Sequence, residues 1–390
     1  MRVLHTSDWH LGRTFHRVDI AHAHAAFLDH LLRIVDDHAV DAVAIAGDLY
    51  DRAVPGPGSL AQFDDVAAGL VSRGVPVIVS SGNHDSFRRL GHGGRMLDAA
   101  GLHVRTRLRD IVRPVVLDDG RLTVYALPYL EPGLVHHRWG VARTHTAVLS
   151  HAMDLVRAHH AAHHPQAALL VLSHSFVQGS GEPATSESER DLDIGGLGVA
   201  PAGVFDGADY VALGHLHRPQ RVTDTVRYSG SPVAFSFSEA RSAKSLLLVD
   251  LGTHGEEVAV TPVPLDPYLP VATVTGTLDE VVTRAPEYRD HLVEVVLTDT
   301  DRPPRTRERL FAAYGRPYED DGGPTGIVKY GWAHATPAAP AETRDARTLA
   351  RRTETEVFSD FLVEVLGTGP TPGQRDRFDS ALALARQEDA

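Results

Sequence analysis

Along the first 265 residues, short runs of branched apolar side chains alternate with longer stretches whose apolar positions recur every three or four residues. Arg2–Thr6 predicts a buried strand ending in a polar loop. Residues 21–35 set Leu28, Leu31, Leu32 and Val35 at helical spacing, and the strand-like run 40–46 then closes on Gly47-Asp48. A helix over 59–73 precedes a second buried run, 75–80, which closes on Gly82-Asn83. Runs 169–172 and 210–213 repeat the pattern and end at Ser173-His174 and Gly214-His215. Strands joined by helix-length connections predict an α/β fold with helices on the sheet faces. Further strands over 111–117, 122–127, 245–251 and 258–263 predict a mixed sheet.

A proline-rich stretch, 262–270, reads as a linker closing a first domain of residues 1–265. Residues 271–334 have their own strand–helix–strand–helix–strand rhythm, which predicts a small α+β unit. The Ala/Pro stretch 335–341 reads as a second linker. Beyond it, residues 345–390 predict a C-terminal helical segment in which Phe358, Phe361, Leu362, Val365 and Leu366 form one stripe. Thr371-Pro372, a hydroxyl cap followed by proline, opens its last helix.

Composition narrows the chemistry. The chain has 390 residues and no cysteine, which excludes disulfides, zinc–thiolate sites and cysteine nucleophiles. The net charge of −13 runs against a free-standing nucleic-acid binder, although bound divalent cations would offset several carboxylates. Lys244 and Lys329 are the only lysines. Met1 leads straight into the first strand-like run and no apolar run approaches membrane-spanning length, so the expectation is a cytoplasmic protein without a membrane segment.

Five polar motifs end the five principal strands: Asp8-Trp-His10, Gly47-Asp48-Leu-Tyr-Asp51, Gly82-Asn83-His84-Asp85, Ser173-His174 and Gly214-His215-Leu-His217. They supply carboxylate, imidazole and carboxamide donors suited to Mn²⁺, Fe²⁺ or Zn²⁺. Asp8 and His10 stand two apart, so in extended backbone their side chains would project together, and His215 and His217 repeat that spacing. Each motif alone is commonplace. Their recurrence at one end of successive strands, where α/β sheets bind ligands, is what points to a site.

The ordered set Asp-x-His, Gly-Asp, Gly-Asn-His-Asp, His, Gly-His-x-His resembles the calcineurin-like metallophosphoesterase superfamily. The resemblance implies a mixed β-sandwich flanked by helices and two divalent metal ions, with Mn²⁺ the expected choice. It implies that Asp8, His10, Asp48 and His217 hold one ion, that Asp48, Asn83, His174 and His215 hold the other, and that Asp48 bridges. His84 would face the substrate as acid or phosphate-orienting group, steered by Asp85.

Gly47-Asp-Leu-Tyr-Asp-Arg52 resembles the protein-phosphatase pattern only in part, since Ala53 stands where those enzymes carry glycine and Asp85 where they carry glutamate. Other stretches are similar to the SbcD family, nuclease subunits of bacterial SbcCD DNA-repair complexes. They are Thr6 to Gly12, Ser188-Glu-Arg190 with Gly195-Gly-Leu197, Asp209 to Gln220, and Tyr228-Ser-Gly-Ser-Pro232 with Phe237-Ser-Glu239. That similarity implies a DNA exonuclease and endonuclease, a homodimer, a capping domain over 271–334, and a C-terminal segment that docks on an SbcC-like ATPase. Arg13, His16, Arg52, Arg88, Arg89 and Arg218 flank the motifs and are the candidate contacts to DNA phosphates. A cyclic-nucleotide or other small phosphodiester hydrolase of the same superfamily is the alternative, and a non-catalytic metal-holding scaffold a third.

Overall fold

The computed structural model describes residues 1–179, 185–189, 199–318, 325–333 and 370–388, with Thr355, Glu356, Phe358, Ser359 and Leu362. Two six-stranded sheets pack face to face. The first runs Ala259–Pro264, Ser245–Asp250, Arg2–Thr6, Ala42–Ala46, Val77–Ser80, Leu102–Arg105 across the sheet, with the last four strands parallel. The second runs Gln220–Arg221, Val226–Tyr228, Tyr210–Gly214, Ala168–His174, Leu122–Ala126, Val115–Leu117, with its middle four parallel. Antiparallel strands border both sheets, so both are mixed.

Side-chain alternation explains the layers. In Ala42–Ala46 the three alanines face the second sheet, while Val43 and Ile45 face the helices Ala21–Asp37 and Pro57–Ser72. In Ala168–His174, Leu170 and Leu172 face inward, while Leu169 and Val171 pack against the helix His145–His163. Strands buried on both faces read as continuous apolar runs, which is how they announced themselves in the sequence.

Two expectations are corrected. Residues 111–117 were expected as one strand, but only Val115–Leu117 pairs; Leu108–Asp110 turns as a 3₁₀ helix and Pro114 has no N–H to give to a ladder. The linker expected over 262–270 begins too early, because Pro262 and Pro264 lie in Ala259–Pro264. That strand is the sheet's edge, the position where proline costs no ladder bond.

Val271–Gly276, Leu292–Leu297 and Gly326–Trp332 form a separate parallel three-stranded sheet, covered by Leu278–Arg284 and Thr306–Tyr314 around a core that includes Val274, Val281, Val295 and Leu310. The helix Pro372–Glu388 starts where the Thr-Pro signal put it, and Phe358 stacks on Phe378 at 4.1 Å between ring centres. The linker 335–341 and the stripe residues Phe361, Val365 and Leu366 lie outside the described residues. Among the described residues no helix is long and apolar enough to cross a membrane.

Candidate metal centre

The parallel strands of both sheets end on the same side, and their loops converge. After Arg2–Thr6 and Ala42–Ala46 the backbones stay paired, Asp8 N–H donating to Gly47 O (3.1 Å) and His10 N–H to Asp48 O (3.0 Å). Between Asp8 and His10, Trp9 turns into the core, where it meets Phe27 and Phe63 and donates to Thr6 Oγ1 (2.8 Å). The backbone here is not extended, as the two-residue spacing had suggested. Asp8, His10 and Asp48 are left-handed, at φ 55°, 45° and 47°, and His215 has φ 108°. Such conformations in residues with a Cβ cost of order 1–3 kcal/mol each and persist at functional sites when the surroundings enforce them. Gly47, at φ 81°, supplies a turn that suits glycine. Gly82 is needed for space instead, since a Cβ there would lie 2.1 Å from Asp48 Oδ1.

Around these turns three groups of donors bring one ligand atom each within 4.8 Å of the others: Asp8, His10 and His217; Asp8, Asp48 and His174; and His10, Asp48 and His84. Asp48 Oδ2 lies 3.6 Å from His10 Nε2 and 3.3 Å from His174 Nε2, so one carboxylate joins two clusters of imidazoles. His10 Nε2 and His217 Nε2 are 3.2 Å apart, and Asn83 Oδ1 is 2.9 Å from His174 Nε2. His215 and His217, expected side by side, diverge. The His215 ring lies against His174 and Phe176, whereas the His217 ring lies against His10 and Phe235.

Burial makes the cluster electrostatically demanding. Asp8, His10, Asp48, His174, His215 and His217 are all at most 4% exposed. Burial pushes the Asp8 carboxyl up to about 6, against the pull of His174 and His217 and with the push of Asp48. Burial would lower His174, but the Asp48 and Asp8 carboxylates outweigh it and raise the imidazole to about 9. His10 Nδ1 has no hydrogen-bond partner. Buried carboxylates crowded against imidazoles, with one ring nitrogen left unpaired, fit divalent cations, which would neutralise the carboxylates and take up imidazole lone pairs together.

His84 Nε2 is 4.0 Å from Asp48 Oδ2, and its Nδ1 is 2.8 Å from the Asp51 carbonyl oxygen. Asp85, expected to steer this ring, has a structural task of its own. The Asp85 carboxylate accepts the backbone N–H groups of Leu49, Tyr50 and Gly82, tying the second and third loops together, and the Asp51 backbone orients the His84 ring.

The candidate phosphate contacts divide into two kinds. Arg13 donates to Ser188 O and lies over the Phe235 ring, and Arg218 donates to Ser238 O, so both brace loops. His16, Arg52, Arg88 and Arg89 are exposed.

Sequence reasoning missed the support beneath His217. Lys244 Nζ donates to Glu239 Oε2 (2.6 Å), Ser231 Oγ (2.9 Å) and His217 O (2.9 Å). Ser188 Oγ sits 2.7 Å from both His217 Nδ1 and Glu239 Oε1, and His217 N–H donates to Glu189 Oε1 (2.7 Å). The signal was present: Lys244 is one of two lysines in an arginine-rich chain, and Ser188-Glu and Phe237-Ser-Glu239 stood out as stretches. Arg190 and Gly195-Gly-Leu197 lie outside the described residues.

Solved structures with similarity to the chain include TT1561 of Thermus thermophilus, 14% identical with a TM-score of 0.39, and a dimetal phosphatase from Danio rerio, 14% identical with a TM-score of 0.40. Each match covers 67% of this chain and 98% of the other. Residues 1–219, the stretch that carries all five strand-end motifs, match the pattern of the calcineurin-like phosphoesterases. With that match over more than half of its length, a two-sheet fold and clustered Asp and His donors able to hold two metal ions, the chain belongs to the calcineurin-like phosphoesterase family.

Proposed function

We propose that the chain is a two-metal DNA nuclease, an SbcD-like subunit that cleaves phosphodiester bonds as an exonuclease on duplex ends and an endonuclease on single strands and hairpins. The observation that carries the phosphodiesterase reading is Asp48, whose single carboxylate lies between His10 and His174 and so can be shared by two cations. On one side Asp8, His10, Asp48 and His217 would hold an ion, and on the other Asp48, Asn83, His174 and His215.

Two cations held there would supply Lewis acidity, acidifying a water and offsetting phosphate charge. The chain's own residues do the rest. His84, oriented through Nδ1 by the Asp51 carbonyl oxygen, presents Nε2 beside Asp48. From there it donates a proton to the departing 3′ or 5′ oxygen, a role worth about 10²–10⁴-fold. Exposed Arg52, Arg88 and Arg89 follow the same loops and suit the flanking phosphates of a strand. The choice of DNA over a cyclic nucleotide draws its support from the sequence stretches around His217, which here brace that histidine through Ser188, Glu189 and Ser231. In this reading Mn²⁺ is the working metal, a second copy and an SbcC-like ATPase are the partners, and the C-terminal helical segment contacts the ATPase.

Purified full-length protein with Mn²⁺, assayed against plasmid, single-stranded DNA and cyclic AMP, tests the proposal. Cleavage of both DNAs without turnover of cyclic AMP is expected. Turnover of cyclic AMP with intact DNA would favour the small-phosphodiester reading instead.

A further inference from the structure

This inference rests on the reading of the centre as a DNA phosphodiesterase and concerns what surrounds the scissile group. Directly beside Asn83 the surface opens into a cavity of about 640 Å³, within the usual size range of small-molecule sites. Ser81, Gly82 and Asn83 reach it from the third loop, so it begins at the metal centre's edge. Two rings line it, Phe87 and Tyr129. Tyr129 is anchored by its N–H to Ser81 O (2.9 Å), and its ring lies 6.3 Å from that of His174. Phe87 is 49% exposed, and Leu134, also in the lining, is 75% exposed. Apolar side chains left open beside a charged centre serve the fold poorly and a flat apolar ligand well.

The polar lining points the same way. Arg107 and Arg109, on the Leu108–Asp110 turn, and Arg138, near the end of Pro132–Trp139, are exposed on the cavity's lining. The nearby carboxylates are engaged elsewhere. Asp85 accepts three backbone N–H groups, Glu131 accepts from Tyr129 O–H and Gly133 N–H, and Asp110 accepts from Arg107 N–H and Arg113. What remains available is aromatic surface and cationic guanidinium, the pairing that single-stranded nucleic acid selects: stacking for the base and positive charge for the backbone.

We propose that this cavity holds the unpaired nucleoside next to the scissile phosphate of a DNA strand, its base against Phe87 and Tyr129 and its outer phosphate at Arg107 and Arg109. A paired base cannot enter such a cavity without leaving its stack. The site therefore favours single strands and frayed ends over intact duplex.

Full-length protein and two variants, Phe87→Ala and the double change Arg107→Gln/Arg109→Gln, test this with two substrates and one binding probe. The substrates are a twelve-residue oligothymidylate and bis-p-nitrophenyl phosphate, which has no nucleoside. The probe is a single-stranded oligonucleotide carrying 2-aminopurine, titrated into chelator-treated protein so that binding is read without turnover. Each variant is expected to raise KM for the oligothymidylate roughly tenfold, through lost stacking in the first and lost phosphate contact in the second. Each should leave kcat on bis-p-nitrophenyl phosphate within about twofold, and Phe87→Ala should abolish quenching of the probe. Unchanged KM and quenching in variants that retain the wild-type melting temperature would overturn the proposal, as would a parallel loss on bis-p-nitrophenyl phosphate. If the wild type hydrolyses bis-p-nitrophenyl phosphate but no DNA, the DNA reading of the centre fails, and this inference with it.

Discussion

His84 is the residue whose placement says most about the chemistry. Its ring stands at the edge of the donor cluster, with Nδ1 2.8 Å from the Asp51 carbonyl oxygen. In the proposed role of proton donor it is needed most when the leaving group is a poor one. His84→Gln should slow DNA cleavage by about 10²-fold or more while metal content stays at the wild-type level. Bis-p-nitrophenyl phosphate, whose leaving group departs unaided, should be slowed much less; an equal loss on both substrates would assign His84 to phosphate orientation. His5 makes a different prediction. It is buried between the sheets, 3.0 Å from Tyr210 O–H and 3.1 Å from Leu213 O, and burial lowers it to about 3. In the unfolded chain it takes up a proton near 6.5, so the unfolded state binds more protons between those values. The neutral ring's contribution is therefore complete above pH 6.5 and falls by up to about 1.4 kcal/mol per unit as pH drops toward 3. Urea midpoints measured from pH 7 to pH 4 should decline less steeply in His5→Gln than in the wild type, and parallel declines would remove His5 from the account.

At the scale of elements, the strand-end loops are as much a product of their supports as of their ligands. The Glu239–Lys244 pair holds the loop below His217, with Glu239 1% and Lys244 8% exposed. Burial would raise the Glu239 carboxyl, but His217 and Lys244 outweigh it and hold it well below the usual carboxylate range. Removing one member of such a pair strands the other charge, a loss of about 3–5 kcal/mol. Glu239→Gln should lower the unfolding free energy, read from urea midpoints, by that order, and the double change Glu239→Gln/Lys244→Met should recover a substantial part. If the double variant is no more stable than the single one, the pair is not what supports the loop.

The same scale shows why the sequence was legible in some places and silent in others. Runs such as Ala42–Ala46 are buried on both faces, so apolar continuity alone located them. The motif residues could be grouped because each follows such a strand. The left-handed turns at Asp8, His10 and Asp48 carry no local propensity signal, since tertiary pairing of the loops enforces them. The structural use of the Asp85 carboxylate was hidden for a related reason. Adjacency in sequence placed it by His84, whereas the fold spends its carboxylate on three backbone donors. Lys244 is 27 residues from the histidine whose loop it supports, a separation no local pattern bridges.

For the whole molecule, the central question is how a chain of net charge −13 would engage DNA. Part of the negative charge is concentrated in the buried centre, where two divalent ions would cancel it. Reach along a duplex is the task we assign to a partner. The C-terminal segment follows an Ala/Pro stretch at 335–341 that suits a tether, and its apolar stripe suits a groove on another protein. Deleting residues 341–390 should leave the melting temperature and Mn²⁺-dependent cleavage of short single strands nearly unchanged, while abolishing co-purification with an SbcC-like ATPase. A large fall in melting temperature would show that the segment packs on the rest of its own chain.

The claim on which all of this depends is that one carboxylate, Asp48, serves two metal ions, and counting those ions tests it most directly. Chelator-treated wild type and Asp48→Asn should be titrated with Mn²⁺, bound metal measured by mass spectrometry, and cleavage of single-stranded DNA followed on the same samples. The account predicts two ions per wild-type chain with activity that rises as they bind, and loss of both tight sites together with cleavage in Asp48→Asn. An Asp48→Asn protein that binds two ions as tightly as the wild type and cleaves DNA at the same rate would contradict it.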